Sequence, residues 1–235
     1  MQPSPLRGHR VITPRSVRIG LLDADPELCE AVPLREREEA RTQTRVPGLE
    51  LTPGEIDFAH LPGGTNAALV VDGLLSRDVV LGERLGTSLL GPGDVVPFGR
   101  TGAPRLLDSE VRWTAATTVR LALLGPHLDP AVRRWPQIAG ELVARAADQA
   151  ARSATHQAIA QLPRVEDRLV ALLLHLGEHW GTMTPEGLVL PLPLTHEALG
   201  RLIGARRPTV SLAMKALGEQ GRAIARTDAG WVLAG

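Results

Sequence analysis

Between Thr195 and Lys215, two glycines, one proline and a few apolar residues constrain the path of this 235-residue chain more tightly than any other segment. Thr195 stands ahead of Glu197 and an apolar-periodic run, the pattern of a helix N-cap with acidic charge in the first turn. Leu199, Leu202 and Ile203 share one face of that helix. Gly204 interrupts it with a residue able to take the left-handed conformation that ends helices. Pro208 then suits the first turn of a second helix, where its missing N–H would be unpaired anyway, and Thr209 to Leu217 continue it. Gly200 is small where two such helices must cross, and Val210 faces the first helix. Two short helices joined by a tight glycine-containing turn make a helix-turn-helix.

The other face of the second helix is expected to carry Arg207, Thr209, Ser211, Leu212 and Lys215, with Arg206 just ahead. An arginine there can donate two hydrogen bonds to guanine O6 and N7, and hydroxyls and open N–H groups can hold phosphates. Beyond the helix, Ala223 to Arg226 and Trp231 to Leu233 are expected to pair around Thr227-Asp228-Ala229-Gly230 as a wing. From Thr195 onward Arg201, Arg206, Arg207, Lys215, Arg222 and Arg226 oppose Glu197, Glu219 and Asp228, six charges against three, in a chain whose formal net charge is zero. The positive surplus is local, as expected of a nucleic-acid patch on a neutral protein. With only 3% aromatic residues there is little to stack on single-stranded bases, so double-stranded DNA is the expected partner.

The rest of the chain is read more coarsely. Ala67–Val71, Asp78–Leu81, Ser88–Leu90 and Thr117–Leu124 are expected strands separated by Gly/Pro turns, which suggests an antiparallel barrel or jelly roll. Asp25 to Arg41 reads as helical, capped by Asp25. From Gln137 to Gln161 alanine dominates and no proline intervenes, so a long helix is expected. Its Leu142, Ala146, Ala150, Ala154 and Ala158 recur at four-residue spacing, a stripe that suits either intradomain packing or a dimer seam. Val165–Trp180 is an amphipathic helix, followed by a turn at Thr184–Gly187 and a short strand at Leu188–Leu192. Cys29 is the lone cysteine, which excludes an internal disulfide or an iron–sulfur ligand set. There is no secretory h-region or membrane-length apolar run, so a cytoplasmic location is expected. Lys215 is the only lysine.

The uninterrupted stretch Leu194 to Ser211, with the strand Leu188 to Leu192 before it, resembles the helix-turn-helix of the Crp/Fnr superfamily of bacterial transcription regulators. The resemblance is specific over about the last seventy residues and architectural before them. It implies an α+β protein with a degenerate cyclic-nucleotide-binding-like β-barrel (1–128), a dimerisation helix (129–163) and a winged helix-turn-helix (164–235). It further implies a homodimer presenting two recognition helices to half-sites about 34 Å apart, with RNA polymerase as a further partner. Arg207 takes the family's base-reading position. Thr195, Arg206 and Thr209 fall at phosphate-contacting positions, and His196, Ser211 and Lys215 complete the expected DNA-binding set. Pro208 and Leu212 depart from the family, standing where some members place a glutamate and a second arginine. The sensor half departs further: Gly93-Asp94-Val95-Val96-Pro97-Phe98-Gly99-Arg100 and Trp113–Ala116 lack the glutamate and paired arginine that hold a cyclic nucleotide. A response to cAMP is therefore not expected. Arg100, Arg105 and Arg112 are either solvated or hold another anion, His60 and His127 show no haem pattern, and the effector stays open.

Two rival readings accompany this one. His175-Leu176-Gly177-Glu178-His179 fits H-x-x-E-H, in which histidines at i and i+4 share a helix face to bind zinc and a glutamate serves as base. The other rival is a winged helix that binds protein. The favoured expectation is a DNA-binding regulator with no catalytic residues, cofactor or metal.

Overall fold

The computed structural model describes residues 11–58, 61, 64–98, 107–220, 224–227 and 230–233. It divides into two compact units, Met1–Glu83 with Ser88–Ala150 and Arg84–Thr87 with Ala151–Gly235. His60, Arg100, Arg105, Arg222 and Asp228 lie outside the described residues.

The first part of the chain runs β1 (Val11–Ile12), β2 (Arg15–Gly20), α1 (Leu21–Ala24), α2 (Pro26–Glu30), α3 (Arg37–Gln43), β3 (Arg45–Leu51) and β4 (Gly54–Ile56). It continues with β5 (Ala67–Asp72), β6 (Leu75–Leu81), β7 (Arg84–Leu90), β8 (Val95–Pro97), β9 (Glu110–Ala115) and β10 (Val119–Leu124). Helices α4 (Asp129–Arg134) and α5 (Pro136–Ala160) follow. The expected single helix from Asp25 to Arg41 is instead three pieces. Asp25 does cap α2, accepting from Leu28 N–H at 2.9 Å, but Pro33 stops the run and a 3₁₀ turn at Leu34–Glu36 leads into α3.

Among the described residues these strands form two five-stranded sheets, ordered β1-β4-β9-β6-β7 and β2-β3-β10-β5-β8. The expected barrel is not closed, since no described strand pairing joins the two sheets. One edge strand, β8, is three residues long and ends on Pro97, which has no N–H to offer a further strand. One core fills the space between the sheets, with Leu51, Val70, Leu75, Val96, Trp113, Leu121 and Leu123 buried in it. A second core covers the other face of the β2–β3–β10–β5–β8 sheet with α1–α4 and the start of α5, around Leu22, Leu28, Trp135 and Ile138. Strand β10 serves both, since Leu121 and Leu123 face one core and Ala122 the other. A strand buried on two faces reads as an unbroken apolar run, which is how it was legible.

Helix α5 is tied to this unit by polar side chains. Arg145 binds both carboxylate oxygens of Asp25, through Nη1 and through Nη2 at 3.0 Å, and also reaches Glu141. Asp25 and Arg145 are each only 11% exposed at the side chain. One turn further on, Gln149 Oε1 accepts from Val95 N–H at 3.0 Å while its Nε2 donates to the Val95 carbonyl at 3.1 Å. Its amide thus mimics a neighbouring strand on β8.

The second part holds α6 (Val165–Trp180), β11 (Thr182–Thr184), β12 (Gly187–Leu190), α7 (His196–Ile203), α8 (Arg207–Glu219), β13 (Ile224–Thr227) and β14 (Gly230–Leu233). Its sheet is ordered β11-β12-β14-β13 and is antiparallel throughout. The wing strands pair with Arg226 opposite Trp231, as expected, but Thr227 and Gly230, expected in the turn, pair as well, and Ala223 lies outside the described residues. Strand β11 was not expected. Of its three residues Thr182 and Met183 are exposed, so no apolar alternation marks it. Among the described residues no helix is long and apolar enough to cross a membrane.

Candidate nucleic-acid interface

The helix-turn-helix is set by three local devices. Thr195 Oγ1 accepts from Ala198 N–H at 3.1 Å and caps α7. Gly204 ends α7 at φ 67°, where a side chain would be strained. A Cβ on Gly200 would stand 2.5 Å from the Ala205 carbonyl oxygen and 3.4 Å from Val210, so only glycine lets the turn close on α7. Leu199, Ile203 and Val210 are fully buried between the helices, as expected.

Two longer-range devices were invisible in the sequence. The last carbonyls of α7 lack helical partners. His156 Nε2–H donates to the Leu202 carbonyl at 2.9 Å, and Arg168 Nη1 donates to the Ile203 carbonyl at 3.2 Å. Burial holds the His156 pKa below the ordinary histidine value, with the nearby His175 adding to the effect. The second device is Trp231 on the wing, 1% exposed, whose Nε1–H donates to the Leu194 carbonyl at 3.1 Å, one residue before the α7 cap. The wing is thereby fastened to the start of the helix-turn-helix.

Of the expected DNA-binding residues, the structure brings His196, Ser211 and Arg207 together. Arg206, Arg207, Thr209, Ser211 and Lys215 are all exposed, and no side chain caps the N-terminus of α8. The Thr195 hydroxyl is engaged as an acceptor in capping and keeps its own proton to donate. Lys215 lies 3.7 Å from Glu219. His196 stacks on Trp231 with ring centroids 5.8 Å apart, and its Nδ1 is 2.9 Å from Ser211 Oγ. Ser211 in turn donates to the Arg207 carbonyl at 3.2 Å. That proton direction makes His196 Nδ1–H the donor to Ser211 and leaves Nε2 as the nitrogen that titrates. Burial lowers the His196 pKa, and the cations of Arg226 and Arg207 lower it further. Arg226, on the wing, is therefore part of this cluster. It was counted in the local charge but missed as a site residue, and its place on an expected wing strand was the available signal.

The sign of the resulting pH dependence follows. Just below the ordinary histidine value of about 6.5 the ring stays neutral in the free protein to a greater extent than an ordinary histidine, and the phosphates of a bound duplex would favour its charged form. Binding then takes up a proton, so affinity is expected to rise as pH falls through that range, and His196→Gln should flatten the rise. Binding curves for both proteins between pH 5 and 7.5 test this, and equal slopes would remove His196 from the interface.

Other sequence candidates fare differently. His175 Nδ1 lies 3.9 Å from Glu178, and His179 packs on Trp180 with centroids 4.7 Å apart. Among the described residues no group of three His, Cys, Asp or Glu side chains is placed to hold a metal, so the zinc reading gains no support. Arg112 is held by Glu110 through two hydrogen bonds of 2.8 and 2.7 Å, which raise its pKa. His127 Nε2–H donates to the Leu123 carbonyl. In the stretch that corresponds to the family's cyclic-nucleotide motif, the buried Asp94 carboxylate closes its own turn by accepting from Gly91 N–H at 2.9 Å.

Comparison with known proteins agrees with this geometry. The family described as the Crp-like helix-turn-helix domain matches residues 167–231. The CRP-like cAMP-activated global transcriptional regulator of Mycobacterium tuberculosis is 26% identical over 174 residues, covering 72% of this chain and 75% of that protein. Among solved structures, a cyclic nucleotide-binding domain containing protein from Listeria monocytogenes is 16% identical and matches with a TM-score of 0.66 over 90% of this chain and 96% of that one. A CRP-family transcriptional regulator from Thermus thermophilus, 20% identical, matches with a TM-score of 0.55 over 78% and 90% of the two chains. The winged helix-turn-helix fold and the family match together support a DNA-binding transcription regulator. Its two-sheet N-terminal unit and long helix are shared with the cyclic-nucleotide-binding-type regulators. Residues 167–231 of the chain belong to the Crp-like helix-turn-helix domain family.

Proposed function

We propose that the chain acts as a homodimer that reads a two-fold symmetric duplex site and regulates transcription without responding to cAMP. The observation that carries the reading is the exposed, arginine-led face of α8, whose N-terminus no side chain caps. Such a terminus offers backbone N–H groups and a positive dipole end to phosphates, while Arg207 reaches base edges. Thr195, His196, Arg206, Thr209, Ser211 and Lys215 position the helix on the duplex. Residues 1–128 serve as sensor, 129–163 as dimer helix and 164–235 as DNA reader. Regulation then works through contact with RNA polymerase or through its exclusion from the promoter.

Support for the dimer comes from α5, where Val143 is 69% exposed and Ala146, Ala150, Ala154 and Ala158 are all exposed, a small-residue strip that a second copy can approach closely. Support for cAMP independence comes from Asp94, spent on its own turn, and from Val95, whose N–H and carbonyl are both bound by Gln149.

Selection from a random duplex library at near-physiological salt, with and without cAMP, tests the reading. A palindromic motif recovered equally in both arms is expected. A motif that needs cAMP would overturn the cAMP clause, an asymmetric one the dimer clause, and no motif the DNA-reading clause. On the recovered duplex Arg207→Ala is expected to lose about 1–3 kcal/mol and to relax the preference at one base pair. An unchanged preference in the same selection would remove Arg207 from the base-reading role.

A further inference from the structure

The outward face of α8 is not uniformly polar. Opposite the buried Val210, Ala213 and Leu217 lie Arg207, Pro208, Ser211, Leu212 and Lys215, all exposed. Residues four apart are neighbours on a helix surface, so Arg207 with Ser211 makes a polar strip and Pro208 with Leu212 an apolar strip beside it. Leu212 is 70% exposed. A single exposed leucine carries no meaning. This one continues an apolar strip flanked by Arg207 and by Lys215, with Glu219 beside Lys215 one turn further on, so a surface that is anionic around a small apolar spot suits its N-terminal part. The major groove of duplex DNA offers that combination in the 5-methyl group of thymine among phosphates.

We propose that Leu212, backed by Pro208, reads a thymine methyl group in each half-site. The proposal rests on the reading of α8 as a DNA-recognition helix. Leu212 lies five residues beyond Arg207, about 7.5 Å along the helix axis or about two base-pair steps. The thymine therefore falls within about three base pairs of the guanine that Arg207 reads.

The full chain is taken through selection on two random duplex libraries, one copied with thymidine and one with deoxyuridine, which lacks only the methyl group. Both libraries are expected to return the same guanine positions, with the preference at one thymine position per half-site lost from the deoxyuridine pool. Leu212→Ala should lose that preference in the thymidine pool. On the recovered duplex, uracil in place of that thymine should weaken the native chain about fourfold, the value of one buried methyl group, and leave Leu212→Ala unchanged. Identical motifs and affinities for thymine and uracil would overturn the Leu212 assignment and leave the DNA reading standing. No motif in either library would overturn the DNA reading and this assignment with it.

Discussion

Trp231→Ala is expected to cost the C-terminal unit about 3–5 kcal/mol and to abolish specific DNA binding. Trp231 is 1% exposed, so its removal leaves a large cavity at the junction of β14 with the start of α7. The loss extends beyond volume, since the Leu194 carbonyl gives up the indole N–H at 3.1 Å and His196 gives up the ring it stacks on. Both partners flank Thr195, whose hydroxyl caps α7. Trp231→Phe separates the effects by restoring most of the volume and the stacking without the N–H. It is expected to cost about 1–3 kcal/mol, the penalty of an unsatisfied buried acceptor. Urea unfolding of both variants, followed by far-ultraviolet circular dichroism, checks the order. An alanine variant as stable as the phenylalanine one would show that the ring fills no essential space.

Arg145→Met is expected to destabilise the N-terminal unit by about 3–5 kcal/mol, because it strands the Asp25 carboxylate where its side chain is only 11% exposed. The guanidinium binds both Asp25 oxygens as well as Glu141, and hydrogen bonding to Asp25 is the main reason its pKa is raised. A second substitution tests whether the stranded charge is the cause. Asp25→Asn keeps an N-cap for α2 and removes the charge, so the double variant should recover much of the loss. Additive losses in the denaturation curves would show instead that the two residues act separately.

The helix-turn-helix was legible because its constraints are local. Thr195 caps a helix within four residues, Gly204 takes a left-handed φ and Gly200 admits the Ala205 carbonyl. Each leaves a residue-type signature at a fixed spacing. The Asp25–Arg41 segment misled because its charges suit a helix throughout, while Pro33 decides where one ends. The open sheets misled for another reason. Turn spacing announces short strands but does not say whether the edge strands meet. Arg168 and His156 illustrate the part that no sequence pattern carries. They close the end of α7 from 35 and 46 residues away, and nothing in their own surroundings marks them as caps. Arg226 reaches the interface only because the wing folds back beside His196. Leu212 could be placed on the outward face from helical period alone, but what it sits among became plain only with α8 in place.

Lys215 gives this surface an experimental convenience. It is the only lysine in the sequence, it lies on the outward face of α8, and its side chain is 75% exposed. An amine-acylating reagent therefore has one lysine target in the chain, and that target stands on the face proposed to meet the duplex. Every acyl group fixed there removes one positive charge from the recognition helix. Isotopically coded acylation with and without duplex would thus report occupancy of this single helix by mass, with no tag and no engineered residue.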